Sequence, residues 1–218
     1  LVELAALIER LGGTGTAAAV VRIGAGHALW PEEAPAMARA RLARQAEFAA
    51  GRAAARLAME RLDLPPRAVP MGPDRAPVWP QGMHGSISHD DGLAVAALCR
   101  VGDLGLDLSA ALPLEPALWP EIALPDEIEA VGLEPGLAAR LVFGAKEAAY
   151  KAQYPRSRAL LGFDAMRVQV TGEGLAARLL RTAGPYGAGT VFHGGWGICS
   201  DRLIVVMRVP PGFRGLQQ

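Results

Sequence analysis

Two long alanine-rich helical segments, each associated with short strand-like runs, set the main constraint on the fold. The first, from Pro35 to Leu62, is rich in alanine and arginine, introduced by PEEAP and ended by DLPPR. The second runs from about Leu137 to Ala152. Around the first helix lie a short amphipathic helix, LVELAALIERLGG, a strand-like TAAAVVRIG at 16–24, and three runs, GSISH, LAVAALCRV and LGLDL, separated by DDG and GD turns. These three runs predict an antiparallel meander packed on a helix. A proline-rich crossing, LPLEPALWP, and a helix near Asp126 precede the second long helix. Strand patterns then follow at MRVQV, LAARLL, GTVFHGGWGI and RLIVVMRV. The pattern predicts an α+β protein of two similar halves, 1–104 and 105–218, with a cleft between them.

Composition narrows the function classes. Lysine plus arginine and aspartate plus glutamate number 22 each, so no overall field favours nucleic acid or an anionic membrane, and any anion site must be local. The longest apolar runs, LAVAALC at 93–99 and LIVVM at 203–207, fall far short of a membrane span. The acidic N-terminal segment is unlike a secretion signal, and a cytoplasmic protein is expected. Cys99 and Cys199 are isolated, which argues against a disulfide framework or a zinc site.

Several charged residues suit anion or metal binding. Arg41, Arg44, Arg52 and Arg56 fall within roughly 120° of one helix face. They form either a solvated face or an anion site, and if partly buried they require a compensating anion. Arg75, in the loop PDRAPVWP, is a further candidate. In GSISH, alternation puts Ser86 and Ser88 on one side of the strand and His89 on the other, which weakens a Ser–His catalytic pair. The chain also lacks the GxSxG elbow of serine hydrolases at this point. Asp107, among leucines in LGLDLS, is either a turn-capping residue or an oxygen ligand for a hard cation, with Ser109 on the same face. In FGAKEAAYK, Glu147 and Lys151 have the spacing of an ordinary helix ion pair, and Lys146 adds a second cation beside the acid.

Together, GLDLS at 105–109 and FGAKEAAYK at 143–151 resemble the two signatures of the 4′-phosphopantetheinyl transferases, a GxDxE-like strand and an (F/W)xxKExxxK helix. The resemblance extends through RQAEFAAGRAAARLAMERL, GPDRAPVWPQGMHGSISH and YPRSRALLGF, over about residues 35–165, and is strongest to the siderophore and secondary-metabolite branch. It implies a pseudo-twofold monomer whose two subdomains each pack a small antiparallel sheet on a long helix, with coenzyme A in the cleft between them. The implied reaction moves phosphopantetheine from coenzyme A to a serine of an apo acyl or peptidyl carrier protein and releases adenosine 3′,5′-bisphosphate. By resemblance, Arg44, Arg52, Arg75, Ser88, His89, Lys146 and Lys151 would hold coenzyme A. Asp107, Glu147 and Ser109 would hold Mg²⁺, with Glu147 and Lys151 catalytic. Arg156, Arg158, Leu160 and Leu161 are candidates for docking the carrier. One departure stands out: the family usually has glutamate where this chain has Ser109. That substitution leaves room for a non-catalytic relative that binds coenzyme A or a carrier protein.

Overall fold

The computed structural model describes residues 1–209, and the chain divides into two compact units, Leu1–Val101 and Gly102–Gln218. The first unit begins with helix α1 (Val2–Gly12), which carries Glu3 in its first turn and Arg10 in its last, matching the helix dipole at both ends. Gly13, at φ 75°, ends it in a conformation that a side chain disfavours. Strand β1 (Thr16–Arg22) follows, then a 3-10 turn over Ala34–Met37, helix α2 (Leu42–Glu60), and strands β2 (His84–Asp90) and β3 (Leu93–Cys99). The long helix therefore starts seven residues later than the sequence pattern suggests, because Arg41 is extended (φ −64°, ψ 152°) and separates the 3-10 turn from α2.

The first sheet has the order β1-β3-β2, all antiparallel. Asp91 and Gly92, both at positive φ, make the two-residue turn between β2 and β3. On one face, Ala50, Ala54, Ala55 and Ala58 of α2 meet Ala19, Val21, Ala94, Ala96 and Leu98 of the sheet. Small side chains allow this close approach, and at Gly51 even a Cβ would stand 2.8 Å from Ile87.

The second unit opens with strand β4 (Leu104–Ala110), which corrects the expected meander. LGLDL does not join β2 and β3. It pairs with the last strand among the described residues, Asp107 opposite Val205, and the third strand of the first sheet is β1 instead. The GD turn is thus a passage between units, and the units divide at 101/102, whereas the sequence pattern suggests 104/105. Short helices α3 (Trp119–Ile122) and α4 (Pro125–Glu129) lead to α5 (Pro135–Ser157). Strands β5 (Met166–Thr171), β6 (Gly174–Leu179), β7 (Val191–Cys199) and β8 (Arg202–Arg208) complete an antiparallel sheet of order β4-β8-β7-β6-β5. Glu134 caps α5 by accepting from the backbone N–H groups of Gly136 and Leu137, and Pro135 occupies its first turn. The helix outruns the expected 137–152 at both ends and continues through Pro155 to Arg158, whose left-handed backbone (φ 53°) stops it. No helix among the described residues is long and apolar enough to cross a membrane.

Gly105 determines how β4 meets α5. A Cβ there would stand 1.8 Å from the Ala148 carbonyl oxygen and 2.6 Å from the Ala152 nitrogen, so only glycine lets the strand backbone lie on the helix. Gly105→Ala is expected to force β4 away from α5 at a cost of about 3 kcal/mol, lowering the melting temperature by about 6–12 °C. Gly187→Ala, where a Cβ would meet nothing within 4 Å, is the control and should shift it by no more than about 2 °C. Equal effects of the two substitutions would refute the steric account.

Candidate functional site

In the second unit, Asp107 is buried on β4 and accepts from Lys151 Nζ of α5 at 2.7 Å. The same ammonium donates to the Leu106 carbonyl at 3.0 Å. The i, i+4 spacing of Glu147 and Lys151 puts them one turn apart on α5, and Lys151 makes its ion pair across to the strand. A Cβ at Gly144 would lie 3.4 Å from Asp107 Oδ2, so glycine leaves that second oxygen uncovered on the helix side. Glu147 is half-buried and makes no hydrogen bond or ion pair among the described residues. Burial pushes its carboxyl pKa up, with Lys151 opposing the rise and Asp107 adding to it. Ser109, two residues beyond Asp107, is buried, and its hydroxyl oxygen has no hydrogen-bond partner among the described residues.

That orphaned hydroxyl tests whether a divalent cation suits the site. Two carboxylates that feel each other's charge and an unpartnered buried hydroxyl form a hard-oxygen donor set, which fits Mg²⁺ with water and substrate oxygens completing its shell. No group of three or more His, Cys, Asp or Glu side chains able to hold a metal occurs among the described residues. The third position in this donor set is the hydroxyl of Ser109.

Lys146 sits differently from Lys151. It is buried, and its Nζ donates to the Ile122 carbonyl at 2.8 Å and to Glu127 Oε2 at 3.0 Å. Glu127 is itself saturated, accepting also from the backbone N–H groups of Leu124 at 2.9 Å and Val168 at 2.7 Å. The pair ties α5 to α4 and β5. Beside it opens a pocket of about 450 Å³ lined by Lys146, Glu147, Tyr150, Leu161, Phe163 and Met166. Leu160 also reaches this pocket and is largely exposed, whereas Arg156 is ion-paired to the buried Asp103. Arg158 lies over the Tyr154 ring, 5.6 Å from its centroid.

In the first unit the arginine face of α2 splits in two. Arg44 is exposed and donates to Glu47 at 3.0 Å and to His89 Nε2 at 2.9 Å. Because arginine only donates, Nε2 acts as acceptor there, which places the imidazole proton on Nδ1. Arg52 is buried, its Nε donates to the Val69 carbonyl at 2.9 Å, and its guanidinium stacks 3.7 Å above the centroid of the Phe48 ring. Burial lowers its pKa to about 10, still well above neutrality. Arg56 faces inward, its Nη1 2.8 Å from each oxygen of Glu33. Arg41 is exposed at the start of α2, and Arg75 is exposed in a tight turn at φ 68°. Ser88 is buried opposite Val95, on the face of β2 away from His89.

Geometry thus brings together Asp107, Glu147, Ser109 and Lys151 in one unit and Arg44 with His89 in the other, while Lys146 is held apart by Glu127. The sequence reading overlooked Glu33, Glu47 and Glu127. Glu47 had a visible signal, lying three residues after Arg44 on one helix, but nothing local marks the other two as partners of distant cations.

The chain matches the family model described as the 4′-phosphopantetheinyl transferase N-terminal domain over residues 31–99. It matches that of the 4′-phosphopantetheinyl transferase superfamily over residues 103–190. It is 37% identical over 197 residues to 4′-phosphopantetheinyl transferase Svp of Streptomyces mobaraensis, covering 83% of this chain and 78% of the relative. With 4′-phosphopantetheinyl transferase PptT of Mycobacterium tuberculosis it shares 36% identity over 140 residues, 62% of each chain. With enterobactin synthase component D of Salmonella typhi it shares 40% over 131 residues, 57% of this chain and 54% of the relative. The strand that carries Asp107 and the helix that carries Glu147 and Lys151 both fall within the second matched region, and with 37% identity across most of its length this chain belongs to the 4′-phosphopantetheinyl transferase superfamily.

Proposed function

We propose that this chain transfers the 4′-phosphopantetheine moiety of coenzyme A to a serine of an apo acyl or peptidyl carrier protein, with Mg²⁺ as cofactor and adenosine 3′,5′-bisphosphate as the second product. The observation that carries this reading is the juxtaposition of Asp107, Lys151, Glu147 and the unpartnered Ser109 hydroxyl. By resemblance, Arg44, Arg52, Arg75, Ser88 and His89 would bind phosphates of coenzyme A, and Lys151 its pyrophosphate. The reading takes the chain to be a cytoplasmic monomer, and relatives named enterobactin synthase component D favour a siderophore or other secondary-metabolite pathway.

The chemistry is a phosphoryl-type displacement. The carrier serine oxygen bonds to the phosphorus next to pantetheine as the bond to the departing bisphosphate breaks, and the hydroxyl proton must leave. Glu147, which makes no hydrogen bond or ion pair among the described residues and is raised in pKa, accepts that proton better than an ordinary surface carboxylate would. Lys151 stands ready to neutralise the leaving group, since its ammonium is already directed toward the carboxylate of Asp107. Lys146 spends two of its three N–H donors on Ile122 and Glu127, so its part is chiefly to fix α5 and the pocket wall, with one donor left for a phosphate oxygen. Asp107, Glu147 and Ser109 would hold Mg²⁺, which when bound supplies charge neutralisation on the pyrophosphate.

The decisive test is intact-mass detection of a phosphopantetheine adduct on an apo carrier incubated with the protein, coenzyme A and Mg²⁺. Tight coenzyme A binding with no adduct would overturn the proposal.

Glu147→Gln is expected to lower kcat by about 10²-fold or more at saturating Mg²⁺. The same substitution should stabilise the fold at neutral pH. A raised native pKa means that ionised Glu147 costs the folded state, a cost absent below the ordinary value of 4.5 and fully present above the native one. The Glu147→Gln protein should therefore melt higher than the parent at pH 7–8, and the gap should close on acidification below pH 4.5. Loss of activity with lower stability at neutral pH would contradict this account.

Ser109→Glu would restore a third carboxylate, and the Mg²⁺ concentration at half-maximal rate should fall by about tenfold. An unaltered Mg²⁺ dependence would remove position 109 from the metal site.

A further inference from the structure

Glu33 is fully buried in the first unit and accepts four hydrogen bonds. Oε1 takes Arg56 Nη1 at 2.8 Å and the Val69 N–H at 3.0 Å, and Oε2 takes the same Nη1 at 2.8 Å and the Trp30 N–H at 3.0 Å. One carboxylate thereby joins the turn before the 3-10 segment, the C-terminal part of α2, and the loop that leaves α2. Arg56 closes the arrangement by donating Nη2 to the Ala28 carbonyl at 3.0 Å while lying over the Trp30 ring.

Val69 then passes the constraint on. Its N–H is held by Glu33, and its carbonyl, on the same buried residue, receives Arg52 Nε at 2.9 Å. With Nε fixed and the guanidinium plane laid on Phe48, the orientation of Arg52 is set, and its two amino groups make no hydrogen bond among the described residues. Six residues beyond Val69, the same loop carries Arg75. Glu33 thus sits behind the phosphate-binding arginines, one residue removed from Arg52 and at the root of the loop that holds Arg75.

We infer that Glu33 is a positioning residue for coenzyme A recognition, fixing Arg52 through the Val69 peptide so that its guanidinium is presented to the 3′-phosphate. This rests on the coenzyme A reading above. The electrostatics run the same way. Glu33 is the group that favours the charged form of Arg52, which burial and the neighbouring Arg44 and Arg56 disfavour. A carboxylate placed behind the guanidinium offsets desolvation of the cation without taking the amino groups that a ligand would use.

The test compares coenzyme A with 3′-dephospho-coenzyme A, by KM and kcat and by calorimetric binding, for the native protein and for Glu33→Gln. A native preference for coenzyme A is expected. In Glu33→Gln, KM for coenzyme A should rise by about tenfold, with the KM for dephospho-coenzyme A moved by about twofold or less, so that the preference collapses. Glu33→Asp, which keeps the charge, should recover part of it. If Glu33→Gln is insoluble, the double variant Glu33→Gln/Arg56→Met, which removes both charges of the buried pair, carries the same comparison. Equal losses toward both substrates, or a preference that survives, would reduce Glu33 to a structural role and overturn the inference. A native protein that neither binds coenzyme A nor modifies a carrier would instead refute the underlying functional reading.

Discussion

At Gly105 the backbone of β4 lies so close to α5 that a Cβ would stand 1.8 Å from a helix carbonyl oxygen. The chemistry of the second unit depends on that approach. With strand and helix at backbone contact, Asp107 two residues along comes within 2.7 Å of Lys151. Gly144 keeps the helix from covering the other carboxylate oxygen. The glycine of GLDLS is therefore a steric requirement of the aspartate's position, and a bulkier residue would displace Asp107 without removing it.

Both units hold their buried cations with a carboxylate and leave a neighbouring cation for other work. In the first, Glu33 takes Arg56 while Arg44 faces outward with His89. In the second, Glu127 takes Lys146 while Lys151 turns to Asp107. Each buried carboxylate also accepts two backbone N–H groups, so its lone pairs are satisfied and the desolvation penalty of the pair is offset. Breaking either pair by removing one partner would strand a charge in an apolar surrounding, which costs about 3–5 kcal/mol. Each pair pins its helix to the elements around it.

Much of this was legible in the sequence because it is local. Helical period and proline-rich flanks indicated both long helices, and the strand patterns MRVQV at 166–170, LAARLL at 175–180, GTVFHGGWGI at 189–198 and RLIVVMRV at 202–209 overlap β5 through β8. Alternation placed Ser88 and His89 on opposite faces of β2. What failed was pairing over distance. LGLDL reads as the third strand of a meander because a GD turn precedes it, yet its partner lies about a hundred residues on, and no local signal announces that. The arginine face of α2 suggested that burial would demand an anion. It is supplied in part by Glu33, which lies on the far side of a turn that the sequence pattern merged into the helix. Lys146 reads as a twin of Lys151 because the two share a helix, and only the position of α4 reveals that Glu127 has claimed it.

Ser109 acquires a physical rationale from the charges around it. Asp107, Glu147 and Lys151 together carry one net negative charge, and Glu147 already pays for burial and for the proximity of Asp107 with a raised pKa. A glutamate at 109 would add a third carboxylate on the same strand face, improving the donor set for a cation while pushing Glu147 further toward its protonated form when the cation is absent. Serine avoids that repulsion and keeps an oxygen at this position. Its hydroxyl, buried without a hydrogen-bond partner, is the residue of that compromise. An unsatisfied buried hydroxyl costs about 1–3 kcal/mol, a penalty relieved only when a ligand or a water reaches it. The position that departs from the usual family pattern therefore still favours occupancy of the site by something that can accept an oxygen lone pair.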